Sequence, residues 1–587
     1  MMFVKAVLLS LLIVCCSHSI DAQDSAAELL EVDYVMYADP KFEMPPVGVK
    51  VTSEPLDLWL ETLSQDNPSL QRQIADSISV ASRRGMPGIE RAADALAKLL
   101  MDAELDPLLR RSVAKALVAL DAKQHASLIA TQCNGDRAIA SIAEPAFAKW
   151  KDDSLNEVWR QRLENPHTDS YSLRLAINGL GAIEDDSSGD ALRKLIRSTA
   201  SPPSIRLAAA SALAKIQPKG LVDFSKSLTK DEPGVIAGLL AVRVLEQHVD
   251  DEAIGRLVLI AKRDEASVKS AAMRRLFEID PQSIVPFGIA AIAHPEVNVR
   301  RIAAQALFAL PSQEHIGPLS TLLSDVNPDL RRSVADMLFR LAQSDGFREE
   351  VILQSTRVLA EDDWRGCEQA TRVLVSLNHR DCGERLVALL RHPRGEAMIA
   401  AGWGLRRLES KEHLLEMLNR SNEIYRGFQG GRYNIRQNGP VDLQAQLFLA
   451  FGELRFQQAD PLMRQYIPKN SMPGERDRAA ACWSLGWLHE DAPDPQLVPM
   501  MISRVKDIRG IEPEMEEVRR MCAVSLGRMN AKSVLPDLRD FATGGIGAGR
   551  ACHWAIERMT GEPMPPLRGM APLDYTDWFL QPLKSDE

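Results

Sequence analysis

A repeating segment limits what this chain can fold into more than any other feature. The stretch PLLRRSVAKALVAL, which starts at Pro107, returns as PDLRRSVADMLFRL at Pro328. The same frame recurs from Pro203, Val297 and Glu516, and weaker copies start near Pro68, Arg137, Ser170, Val235, Ala266, Trp364, Gly395, Val441, Glu475 and Ile546, which makes about fifteen units. Consecutive frames at Ala266, Val297 and Pro328 are 31 residues apart, and elsewhere the interval widens to roughly 30 to 46. Periods of this size belong to stacked supersecondary units. A chain of 587 residues is too long for one hydrophobic core, and an elongated array removes that difficulty.

Each frame reads as an amphipathic helix. Leu109, Val113, Leu117 and Leu120 recur at intervals of three or four and so share a face, while Arg110, Arg111 and Lys115 point elsewhere. A column of small residues, Ala75, Ala114, Ala210, Ala304, Ala335 and Ala523, permits close approach of neighbouring helices. A second apolar segment precedes each frame and ends in Asp, Asn or Pro, as between Ile316 and Pro328, where such residues suit a helix start. Helix pairs repeated without strand-like alternation predict an all-α fold, a right-handed α-α superhelix in which each unit buries its face only against its neighbours.

A second helix that opens Pro-x-hydrophobic-Arg and continues Ala-Ala-x-Ala-Leu resembles the HEAT/armadillo-like helical family. The units near 31 residues look most like the short phycobilisome-lyase-like HEAT variety, and the chain as a whole resembles an exported bacterial HEAT-repeat protein. The resemblance covers nearly all of the chain after its first residues. It implies that the early arginine of each frame joins a polar ladder between repeats, a column matched by Arg110, Arg206, Lys269, Arg300, Arg331, Arg478 and Arg519. The acidic partner six residues earlier is clear only as Asp325.

Several regions fall outside the frame. Lys5 followed by an apolar run from Ala6 to Cys16, with Ala22 before Gln23, reads as a signal peptide over 1–22. The expected destination is the periplasm or the extracellular space, and Cys15 and Cys16 leave a lipid anchor open as the lesser alternative. No later stretch has the roughly 18 apolar residues of a membrane span. Residues 23–55, with Pro40, Pro45, Pro46 and Pro55, read as a lead-in arm, and 56–560 as the solenoid. An insertion is expected at about 419–440. From 561 to 587 a proline-rich tail closes with Tyr575, Trp578 and Phe579, an expected aromatic cap for the last repeat.

The chemistry in the sequence is sparse. A net charge of -10 argues against a general nucleic-acid binder. Cys133, Cys367, Cys382, Cys482, Cys522 and Cys552 form no Cys-x-x-Cys pair and read as buried thiols, with a disulfide as the alternative. Deoxyhypusine hydroxylase, a HEAT-type metal oxygenase, uses several His-Glu dipeptides, whereas only His489-Glu490 occurs here. No metal, cofactor or catalytic residue is therefore expected, and His489 reads as a cation at a helix C-terminus. The insertion offers Tyr425, Arg426, Phe428, Arg432, Tyr433 and Arg436, aromatics interleaved with guanidinium groups that could stack on and chelate an anionic group. The competing reading is a solvated loop.

The expectation is a non-catalytic protein-protein interaction scaffold that holds a protein or peptide partner on its concave helical surface. An enzyme of the HEAT-like bilin lyase type is the first alternative. A polyanion- or carbohydrate-binding module built on the basic aromatic loop is the second.

Overall fold

All fifteen frames are helices, and each is the second member of a pair, among thirty α-helices in the described residues. The computed structural model describes residues 28–42, 49–133, 135–433, 438–469, 474–509, 511–543, 546–565, 573–574 and 578–582. The starts obey the expected capping chemistry. The Asp106 side chain accepts from the backbone N–H groups of Leu108 and Leu109 at 2.9 Å, with Pro107 in the first turn. Asn67, Asp136, Asp169 and Asn327 cap their helices in the same manner.

The second helices pack directly on one another in sequence, while the first helices touch each other far less, save Gln313–Thr321 against Asp345–Ala360. A layer with the shorter spacing lies on the inside of the curve, so the second helices form the concave face. Glycine sets that spacing at the C-terminal end. A Cβ on Gly486 would stand 2.8 Å from the Cα of Ser525, and one on Gly527 would stand 2.8 Å from the Cα of Ala555. The obstacle is backbone of the next helix and cannot swing aside, so a side chain at either position would push two repeats apart.

The ladder arginines are structural. Arg300 forks onto Asp325 of the next repeat at 2.6 and 2.9 Å. Arg206 reaches Glu232, and Arg478 holds both oxygens of Glu514 at 2.7 Å. Glu232 stands six residues before Gly238, in a repeat whose own ladder arginine is missing. Glu514 stands five residues before Arg519. Both therefore escape a search keyed on a fixed offset from arginine. The six cysteines are buried and unpaired, with the Sγ atoms of Cys482 and Cys522 3.4 Å apart between adjacent second helices.

Three segments depart from the sequence expectation. The stretch taken as an insertion is largely helix, Leu414–Gln429, whose Leu414, Met417, Ser421, Ile424 and Phe428 continue the buried three-four spacing. Only the residues after Gln429 leave the frame. The aromatic tail does not cap the last repeat; Trp578 is buried among the first helices, with its ring 5.5 Å from that of Trp59 in an edge-on arrangement. Trp59 Nε1 donates to the carbonyls of Phe579 and Leu580 at 2.8 and 3.0 Å. Tyr575 lies outside the described residues.

The third departure is the arm. Val49–Lys50 pairs in parallel with Leu573–Asp574, so both terminal segments meet and tie the first repeat to the last. Residues 28–42 are more than a lead-in, because they lie along the second helices of the C-terminal repeats.

Candidate peptide groove on the inner helix layer

Six consecutive second helices build a groove: Trp364–Ser376, Gly395–Arg407, Asn438–Glu453, Glu475–Leu488, Glu516–Arg528 and Gly547–Thr560. The arm runs along them in order. At its start Ser376 Oγ accepts from the Leu30 N–H at 2.9 Å, and Arg372 donates to the Leu30 carbonyl at 3.2 Å and to the Glu31 carboxylate. At its far end the guanidinium groups of Arg520 and Arg550 stand about 6 Å from the Phe42 ring. Much of the grip is on backbone, as in strand-like peptide capture. Gln446 donates to the Asp33 carbonyl at 2.8 Å and Arg520 to that of Tyr37 at 3.1 Å.

Two aspartates of the arm meet the same constellation. Asp33 Oδ1 accepts from Trp403 Nε1 at 2.8 Å and from Arg406 Nη2 at 2.5 Å, and Arg406 also reaches the Asp33 carbonyl at 3.0 Å. Asp39 Oδ2 accepts from Trp483 Nε1 at 2.9 Å and from Arg528. In each clamp an indole N–H and a guanidinium converge on one carboxylate oxygen, a charge-assisted arrangement worth about 1.5–3 kcal/mol per bond to the charged group. Between the clamps, Arg476 lies 4.6 Å over the Tyr34 ring and Met36 is fully buried.

Guanidinium groups gather in the groove, with Glu453, Asp442 and Glu517 paired to Arg406, Arg476 and Arg520. Arg372, Arg406 and Arg528 are buried, and Arg528 is stacked 4.0 Å from the ring of Trp487. Burial pulls the Arg528 guanidinium down to about 10, with Asp39 opposing the shift. Glu453, paired with Arg406 at 3.2 Å, has its carboxyl raised above the ordinary range by burial, against the pull of Arg406.

The residues singled out from sequence are distributed differently. Tyr425 and Phe428 pack inward, Tyr425 against the Tyr466 ring at 5.6 Å and Phe428 against that of Tyr433 at 5.9 Å. Arg426 is exposed on the same helix. Arg432 stacks 5.4 Å over Tyr433, and both line an open cleft of about 900 Å³ with Arg391, Arg394, Arg420 and Glu423. Arg436 lies outside the described residues. His489 sits just past the end of its helix and meets Asp460 at 2.6 Å. Burial would raise the Asp460 carboxyl, but hydrogen bonds from His489 and Arg464 outweigh it and hold it below the usual carboxylate range.

The groove residues themselves went unread in the sequence, because a tryptophan in an amphipathic frame reads as core. The available signal was positional: Trp403 and Trp483 occupy the same place in the frames that begin at Gly395 and Glu475.

Fold and site together define an all-helical HEAT-type solenoid whose inner groove holds an extended peptide. No family model and no curated protein sequence matches the chain. Among solved structures it is similar to Kap95p, whose binding induces the switch loops of RanGDP to adopt the GTP-bound conformation, with a TM-score of 0.50 and 13% identity over 86% of this chain and 72% of that one. Importin beta gives a TM-score of 0.44 at 13% identity, covering 86% and 72%. Kap121p bound to Pho4p gives 0.48 at 12% identity, covering 86% of this chain and 56% of that one. The fold is that of a HEAT-repeat solenoid. Among the described residues no helix is long and apolar enough to cross a membrane, and no three His, Cys, Asp or Glu side chains are grouped to hold a metal ion.

Proposed function

We propose that the protein is a non-catalytic scaffold of the cell envelope or extracellular space that binds a protein partner on its concave face. The observation that carries this reading is the extended arm held on that face by bonds to its carbonyls and carboxylates. A surface that organises one peptide segment has the chemistry to organise another, and the inner layer continues beyond the arm into earlier repeats. The signal-like first residues support export.

Site-specific photo-crosslinking tests it. Arg332 is exposed on an inner helix and close enough to Arg372 for their charges to interact. Ile289 is 45% exposed on a first helix of the other layer. A photoreactive residue at position 332 is expected to give partner adducts in envelope extracts, with few or none from position 289. Equal yields from both layers would remove the concave face from consideration.

A second reading, recognition of a polyanion, is favoured by the cleft where Arg391, Arg394, Arg420 and Arg432 converge. Replacing Arg426, Arg432 and Arg436 together by alanine is expected to lower the salt needed for elution from a sulfated polysaccharide. The melting temperature should stay close to that of the parent, since Arg426 and Arg432 are exposed and such sites cost within about 0.5 kcal/mol each. Unchanged elution sinks that reading.

A further inference from the structure

We infer that the inner groove is a recognition site for an extended acidic segment carrying two aspartates six positions apart with aromatic or aliphatic residues between them, and that the arm is its exchangeable resident. The inference rests on the concave-face reading and gives it a ligand class.

The spacing argument comes from the helices. Trp403 and Arg406 both lie on Gly395–Arg407, whereas Trp483 comes from Glu475–Leu488 and Arg528 from Glu516–Arg528, so the two clamp indoles stand two helix steps apart. At roughly 8–10 Å per helix step this is about 16–20 Å. Six residues of extended chain span at most about 20 Å. Asp33 and Asp39 meet that register through a backbone shorter than this maximum, because Val35–Ala38 forms a 3₁₀ turn between them, and the side chains cover the remainder. The clamps thus act as a ruler: a carboxylate at the wrong interval meets one clamp or neither.

Charge and burial point the same way. The arm engages Arg372, Arg406, Arg476, Arg520, Arg528 and Arg550, of which Arg406, Arg476 and Arg520 also pair with Glu453, Asp442 and Glu517 of the solenoid. The arm shields these cations without burying its own carboxylates fully; the Asp33 side chain is 46% exposed and that of Glu31 79%. Apolar packing adds to its polar and cation–π bonds: Met36 is fully buried, Pro40 is buried, and Leu29, Leu30, Val32, Tyr34 and Val35 pack against the solenoid core. An incoming segment must therefore cover this apolar strip as well as fill the two clamps. As a tethered occupant the arm competes at an effective concentration on the order of millimolar, so a partner must match its chemistry to displace it.

The test uses the full chain and a labelled synthetic peptide with the sequence of residues 28–42. Weakening the resident arm with D33N/D39N leaves every groove residue intact, and this variant is expected to bind the peptide at least about tenfold more tightly than the parent. A peptide with asparagine at both aspartates, or with one residue deleted between them, is expected to lose at least about tenfold on the same protein. Adding R406Q and R528Q should erase the difference between the aspartate and asparagine peptides.

Hydrogen exchange on the unmodified chain guards against misfolded variants, because saturating peptide should accelerate exchange of the arm amides. The inference is overturned if D33N/D39N takes up peptide no better than the parent, if both peptides bind equally, or if arm exchange ignores the peptide. Loss of peptide recognition with crosslinking from position 332 intact would sink this inference alone. Loss of the crosslinks as well would remove the scaffold reading with it.

Discussion

Arg478→Met is expected to destabilise the C-terminal repeats by about 3–5 kcal/mol, the cost of stranding a buried charge. The Arg478 and Glu514 side chains are 3% and 1% exposed, and each guanidinium arm donates to one carboxylate oxygen at 2.7 Å. Arg478 also donates to the carbonyls of Tyr466 and Ile467 at 3.1 Å, so its loss orphans two further acceptors. Arg504 remains 3.4 Å from one Glu514 oxygen and cannot replace the fork. Urea unfolding followed by helical signal should show the loss as a separate early transition, because repeat arrays are held by nearest-neighbour interfaces. R478M/E514M should recover at least half of the loss, since an apolar pair strands no charge. If R478M costs less than about 1 kcal/mol, the ladder is a surface feature.

The same pair sets a pH dependence. Burial would raise the Glu514 carboxyl, but the Arg478 hydrogen bonds dominate and hold it below its usual 4.5. A depressed carboxylate contributes its stability above the unfolded value and loses it as pH falls through the folded one. R478M should therefore narrow the gap between stability at neutral pH and in mild acid.

Trp59→Ala is the second large effect, at about 3–5 kcal/mol for truncating a fully buried aromatic. The ring is the seat of Trp578, and its N–H holds the carbonyls of Phe579 and Leu580. Losing it should free the C-terminal strap, so residues 578–582 should become sensitive to proteolysis. Trp59→Phe keeps most of the packing and removes only the donor, and should cost about 1–3 kcal/mol. Protection of the tail in the alanine variant would mean that the parallel pairing of Val49–Lys50 with Leu573–Asp574 suffices to close the array.

The difference between legible and illegible parts of this molecule follows from the range of the interactions. Fifteen helices were readable from their frames because amphipathic spacing, Asp-Pro starts and the alanine column act within one helix or between adjacent repeats. Asp325 is legible as an acidic ladder residue for the same reason, by its place six residues before Arg331, whereas its pairing with Arg300 of the preceding repeat comes from the structure. The stretch from Asn419 to Gln429 differs from its expectation because its arginines and tyrosines suggest a loop by composition, while Ile424 and Phe428 keep the helical period.

The sequence alone determined a helical array, its period and its ladder chemistry. Tertiary structure alone decided where the ends go. Asp33 finds Trp403 and Arg406 across about 370 residues, and Asp39 finds Trp483 and Arg528 across more than 440. Those meetings depend on the summed curvature of many repeats, fixed by contacts such as Gly486 on Ser525 and Gly527 on Ala555, and no local pattern encodes that sum.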